Sequence, residues 1–154
     1  MKKLAVKFIV SIFALASVFT AVRLLQTNHV AKSAGEVRLI LADIKGDIVY
    51  DEWIVFEEGM TFFDVLQANF DITCANASYQ SDESCNYIFS SFGSSDKVIL
   101  GIKGETFELV TDWQHTYLSI YIWDGSTYRL ATQGVMQLNY QDQDRIKITV
   151  QEVW

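Results

Sequence analysis

Past its first thirty-five residues the chain has one histidine, His115, and two cysteines, Cys74 and Cys85. It also has three close carboxylate pairs: Glu57/Glu58, Asp82/Glu83 and Asp142/Asp144. Each could do chemistry in the right company. Nucleophilic hydrolysis needs Ser or Cys, His and a carboxylate converging in space. Asp112 is near His115, but no G-x-S-x-G elbow accompanies them. A lone histidine between Trp113 and Tyr117 reads as a turn or surface residue. It lacks partners at metal-ligand spacing, and two cysteines without a nearby histidine do not complete a tetrahedral zinc site. Calcium loops repeat carboxylates as D-x-D-x-D-G, and none of the three pairs has that pattern. Asp142-Gln143-Asp144 reads as a strand-entry turn with solvated carboxylates. Glycosidase chemistry sets two carboxylates at a defined separation, which the fold determines. A P-loop and a dinucleotide G-x-G-x-x-G are absent. The expectation is a protein that is not an enzyme and carries no metal and no resident cofactor.

The richer constellation is aromatic. Trp113, Tyr117, Tyr121 and Trp123 gather around one apolar run. Tyr117, Tyr121 and Trp123 are all odd-numbered, so in a strand of period two they share a face, with Ser119 between them. One reading is a ligand-binding platform for a sugar, a corrinoid or a partner protein, because exposed Trp and Tyr are common anchors. The other is core packing. Leu118, Ile120 and Ile122 occupy the opposite face, and a strand apolar on both faces is expected to be central and buried on both sides. Sequence leaves both open.

Cys74 and Cys85 are an even pair. In an oxidising compartment they form a structural disulfide closing a short loop, and otherwise they are free thiols. The compartment follows from the start of the chain. Met1-Lys2-Lys3 is a positive n-region, and Phe8–Val22 is an uncharged, mainly apolar stretch. This is the shape of a signal peptide. Counted as Leu4–Leu25, with Lys7 and Arg23 at the interfaces, it also reaches the ~20 residues of a membrane anchor. Ala31-Lys32-Ser33 offers a weak cleavage site. No cysteine follows the apolar run, so a lipoprotein anchor is not expected. Residues 1–35 thus read as signal or anchor plus linker, and 36–154 as one domain of ordinary size. The protein is expected to be secreted, or held at the outer side of the cytoplasmic membrane.

Charge divides the same way. Residues 1–35 hold five of the twelve Lys and Arg and none of the nineteen Asp and Glu. The domain is left with seven basic and nineteen acidic groups, a net of −12 with His neutral. Such a domain repels phosphate backbones, and nucleic acid is excluded as a partner.

The elements that must position the aromatics read as α+β. Val37–Ile44 and Ile48–Phe56 alternate around the turn Lys45-Gly46-Asp47, a hairpin. Thr61 and Asp64 form a capping box, and Phe62, Val65, Leu66 and Phe70 make one helical apolar face to about Asn69. Asp71–Glu83 reads as a polar loop. Candidate strands follow at 87–92, 97–102, 106–110, 117–123, 127–131 and 145–150, with Asp124-Gly125 a hairpin turn. There is no proline, so turns depend on Gly, Asp, Asn and Ser. One mixed sheet packed on one main helix, after the N-terminal signal or anchor helix, is the element order of a β-grasp.

This ordered set resembles the domain-of-unknown-function family 4430, which is similar to the C-terminal domain of transcobalamin and intrinsic factor. Gly59-Met60-Thr61-Phe62-Phe63-Asp64-Val65-Leu66 looks like that family's G-x-T-[LV]-x-D-[LV]-L helix start. Ile99–Gly104 stands at its short strand and turn. Trp113 with Tyr117–Gly125 resembles its W-x-x-Y/F-x-V-N-G hairpin, and Gly134 with Leu138–Ile148 its ending. Trp123-Asp124-Gly125 departs from V-N-G, and Asp142-Gln143-Asp144 from D-G-D. The resemblance spans about Val37 to Val150. It implies a β-grasp-like fold and an extracellular, non-enzymatic binding role. The implied ligand is a corrinoid such as cobalamin or another small nutrient. The alternative is a structural or adhesive surface domain that binds a cell-surface protein.

Overall fold

The computed structural model describes residues 29–91 and 94–153. The segment Leu4–Leu25, expected to be signal or anchor, lies outside them. Among the described residues no helix is long and apolar enough to cross a membrane.

Strand β1 (Gly35–Ala42) and β2 (Ile48–Phe56) form the expected antiparallel hairpin, closed at Lys45-Gly46-Asp47, with a bulge between Leu41 and Ala42. Gly46 sits at φ 87°, a conformation that favours glycine over any residue with a Cβ. Asp43 fixes the turn by accepting the N–H groups of Lys45 and Asp47, each at 2.9 Å. Helix α1 (Phe62–Asn69) starts at the expected capping box. The Thr61 hydroxyl accepts the Asp64 N–H at 3.2 Å, and the Asp64 carboxylate accepts the Thr61 N–H at 2.7 Å. Two otherwise orphaned donors are satisfied, so the helix begins there and not a turn earlier.

The remaining elements are β3 (Asp71–Ala75), β4 (Ser81–Asp82), β5 (Phe89–Ser91), β6 (Ser94–Asp96), β7 (Ile99–Lys103), β8 (Glu108–Val110), β9 (Thr116–Trp123), β10 (Tyr128–Leu130) and β11 (Arg145–Glu152). The molecule is mostly sheet with one helix, α+β with mixed pairing. It departs from expectation in two places. The strands divide between a five-stranded sheet, β10-β9-β11-β1-β2, and a four-stranded sheet, β4-β3-β7-β8, with β5–β6 a separate ribbon. The segment expected as a polar loop, Asp71–Glu83, contains β3 and β4. Its alternation is real: Ile72 and Cys74 are buried while Asp71 is exposed. The stretch is too short and polar for that signal to stand out.

In the large sheet β11 runs parallel to β1, and the other pairings are antiparallel. One face supplies the core through Val37, Leu39 and Leu41 of β1 and Ile146, Ile148 and Val150 of β11. Phe62, Phe63, Val65 and Leu66 of α1 pack into this core, with Ile72, Ile102 and Leu109 from the smaller sheet. The segment after β10 adds Val135, Leu138 and Tyr140.

The stretch 29–34, expected as linker, docks on this body. Ala31 is buried, its N–H donating to the Met60 carbonyl at 2.8 Å and its carbonyl accepting from Gly59 at 2.9 Å.

Candidate functional site

Strand β9 lies between β10 and β11. Leu118, Ile120 and Ile122 lean on the core. Alternation therefore turns Tyr117, Ser119, Tyr121 and Trp123 to the opposite face of the sheet. The strand is central, as expected, but it is not buried on both sides. Tyr117, Tyr121 and Trp123 are half-buried, whereas Ile40 and Ala42, on the same face of β1, are buried. Ser119 and Thr149, paired across β9 and β11, are buried there at 5% and 6% exposure. Small residues in the middle of a sheet are shielded by the longer side chains around them.

The four candidate aromatics are not one cluster. Trp123 packs edge-on to Tyr128 of β10 at 5.1 Å between ring centroids. The guanidinium of Arg145, from β11, lies 5.9 Å from the centre of the Trp123 ring. Tyr121 is flanked by Leu130 and Lys147, its partners on β10 and β11. Trp113 belongs to the other end. It precedes the strand, meets Tyr117 edge-on at 6.3 Å and lies nearly parallel to Tyr79 at 6.5 Å. Trp113 and Tyr79 both hold left-handed backbone, φ 61° and 57°, which costs on the order of 1 kcal/mol each in a residue with a Cβ. Trp113 is 40% exposed and also lines an apolar cavity of about 140 Å³ between the sheets, with Leu118, Ile120 and Ile148. That is well below the ~300 Å³ usual for a ligand pocket.

His115 stands on the surface, its side chain 81% exposed. Its Nδ1 lies 2.6 Å from Asp112 Oδ2. Asp112 Oδ1 accepts the N–H groups of Gln114, His115 and Thr116 at 3.1, 2.8 and 3.0 Å. The His115 side chain and these turn amides hold the Asp112 carboxyl well below its usual range. Asp112 thus ties the turn that presents Trp113.

Cys74 and Cys85 are joined in a disulfide, Cα atoms 5.0 Å apart, with both residues fully buried. The Lys97 ammonium donates to the Cys85 carbonyl and lies 4.6 Å from the Phe63 ring centre. On the smaller sheet an open groove of about 1070 Å³ is lined by Asp71, Asp82, Glu83, Glu108 and Lys103 among others, and by none of the candidate aromatics. Among the described residues no three His, Cys, Asp or Glu side chains are grouped to hold a metal ion.

Sequence reasoning missed Tyr128, Arg145, Arg38 and Trp53 as members of the open face. The β9–β10 hairpin was legible, and a four-residue loop across Asp124-Gly125 puts Trp123 opposite Tyr128. The parallel pairing of β1 with β11, which aligns Arg38 with Arg145, has no local signal.

Compared with models of known protein families and with curated proteins, the sequence matches none.

Proposed function

We propose that this is an extracellular, non-enzymatic binding module, and that it takes its ligand on the open face of the five-stranded sheet. The supporting observation is the row of Tyr117, Tyr121 and Trp123, turned away from a complete core and left half-exposed. Core packing needs the Leu118, Ile120 and Ile122 face of β9 alone. Half-exposed rings on a flat sheet offer apolar area with a polar tip, as small-molecule and protein anchors do. The exposed placement of His115 supports a binding role over hydrolysis, since it sits in no cleft. The buried Cys74–Cys85 disulfide supports an oxidising compartment, and with it secretion or surface anchoring through Leu4–Leu25.

The hairpin β1–β2, the helix that follows and the final strand β11 running parallel beside β1 favour a β-grasp-like reading. They support kinship with the transcobalamin-like domains, and hence a corrinoid or another small nutrient as ligand. A surface-adhesive domain is the second reading. It is favoured by the exposed Trp53 and Val55 on edge strand β2, 41% and 74% accessible.

The test is calorimetric titration of the full-length chain with cyanocobalamin and a panel of nutrients, repeated on Tyr121→Ala and Trp123→Ala. Lys103→Gln in the acidic groove controls for location. Binding lost in the face variants and kept in Lys103→Gln supports the site. Binding lost only in Lys103→Gln moves it to the groove and refutes this reading.

A further inference from the structure

The register of the large sheet lays five side chains in one line across all five strands. Tyr128 of β10 is opposite Trp123 of β9. Trp123 contacts Arg145 of β11, Arg145 is aligned with Arg38 of β1, and Arg38 is opposite Trp53 of β2. The order is aromatic, aromatic, cation, cation, aromatic. Lys147 sits in the next row, beside Tyr121.

We propose that this face binds a carboxylated oligosaccharide lying across the strands. The inference rests on the reading of the same face as the binding site, and adds the chemistry of the ligand.

Charge is the first argument. The domain has only seven Lys and Arg against nineteen Asp and Glu. Three of the seven, Arg38, Arg145 and Lys147, project from this face. Asp51 binds Arg38 through two hydrogen bonds of 2.7 and 2.9 Å. Glu36, at the start of β1, is bonded by the Gln143 amide at 3.0 Å. Among the described residues Arg145 and Lys147 have no carboxylate at ion-pair distance. Arg38 is neutralised by Asp51, so the cations left to face an anion are Arg145 and Lys147, two positions apart on the same face of β11. The guanidinium fork suits a planar carboxylate, to which it donates two parallel hydrogen bonds.

Shape is the second argument. Trp123 and Trp53 bracket the arginines from strands three spacings apart, roughly 14 Å at the usual strand separation. One sugar ring does not reach both, whereas a chain of several does. The rings take the C–H faces of pyranoses, and the cations between them take the carboxylates.

The experiment uses the full-length chain in detergent, titrated with a galacturonate oligomer and with the same oligomer as its methyl ester. The two probes share a backbone and differ in charge. The acid is expected to bind at least about tenfold more tightly than the ester, and less tightly as salt is raised. Arg145→Gln and Lys147→Gln are expected to weaken the acid about tenfold each and leave the ester unchanged. Trp123→Ala is expected to weaken both. Both cation variants change exposed or half-exposed side chains, so thermal melts should match the parent. Equal affinity for acid and ester overturns the proposal, as does acid binding indifferent to Arg145→Gln and Lys147→Gln. Poly-glutamate binding as tightly as the oligogalacturonate overturns it in favour of an acidic peptide. If cyanocobalamin binds in a Trp123-dependent way and neither saccharide does, this proposal fails and the face remains the site. If neither saccharide, poly-glutamate nor cyanocobalamin binds, both fail.

Discussion

Replacing Cys74 and Cys85 together with alanine removes two contributions that can be separated. The bridged residues are eleven apart. For a closed loop of about a dozen residues the chain-entropy model gives a loss of roughly 2.8 kcal/mol. Part of that loop already pairs as β3 with β4, Cys74 with Asp82 and Ala75 with Ser81. Residual hairpin structure in the unfolded chain would reduce the figure by a few tenths of a kcal/mol. The second contribution is packing. Both cysteines are fully buried in the core, and truncating each to alanine leaves a void costing on the order of 1 kcal/mol. The double variant should therefore lose about 4 kcal/mol, which for a domain of this size lowers the melting temperature by roughly 15 °C. Urea unfolding followed by far-ultraviolet circular dichroism reads the loss. The same titration of parent protein under reductant isolates the crosslink, because the sulfurs stay in place. The reduced parent should fall about 2.5 kcal/mol below the oxidised one, and the alanine variant further still. A midpoint for the alanine variant indistinguishable from the parent would refute the reasoning, as would titratable thiols in the protein purified without reductant.

Two more outcomes follow from buried polar groups. Burial pushes the Tyr140 phenol up to about 12, and its hydroxyl donates to the Met60 carbonyl at 2.8 Å. With an unfolded value near 10 the folded state prefers the neutral phenol, so this contribution is complete below pH ~10 and is lost as pH rises toward 12. Burial raises the Tyr50 phenol as well, so ultraviolet titration should show a late-ionising phase whose latest component disappears in Tyr140→Phe. That variant should cost only about 1 kcal/mol by chemical denaturation, because Met60 keeps the bond from Ala31. Burial also raises the Asp96 carboxyl, although its Oδ1 accepts the N–H groups of Met136 at 3.0 Å and Lys97 at 2.8 Å. A folded value above the unfolded one means stability from this group is full below pH ~4 and declines as pH rises through the raised value. Asp96→Asn keeps an acceptor and removes the charge. Its urea midpoint should exceed the parent's at pH 7 and converge with it below pH 4.

What the sequence made legible was local. The β1–β2 hairpin, the Thr61–Asp64 capping box and the Asp124-Gly125 turn each carry their cause within a few residues, and the structure has all three. β3 was missed because the alternation of Ile72 and Cys74 with Asp71 and Thr73 covers only a few positions of a five-residue strand inside a polar stretch. The division into two sheets was missed because strand partners are chosen by tertiary packing. The face of Tyr117, Tyr121 and Trp123 followed from period two alone. Its exposure did not, because an aromatic row reads the same whether or not another layer covers it. Arg145 joins that face through a parallel pairing more than a hundred residues away in sequence, which no short-range pattern encodes.

The burial of Ala31 bears on how far the domain can stand from a membrane. Cleavage after Ser33 would strip a buried residue and two backbone hydrogen bonds from the folded body, so that site would be cut at the expense of the fold. If Leu4–Leu25 instead remains as an anchor, only residues 26–28 separate its end from the docked stretch that begins at His29. Fully extended, such a tether reaches about 14 Å, less than the width of the domain it holds. A body leashed so closely cannot turn freely. It would show its surroundings a fixed side, and where β1 leaves Ala31 would set whether the open sheet looks outward to the medium or sideways along the bilayer.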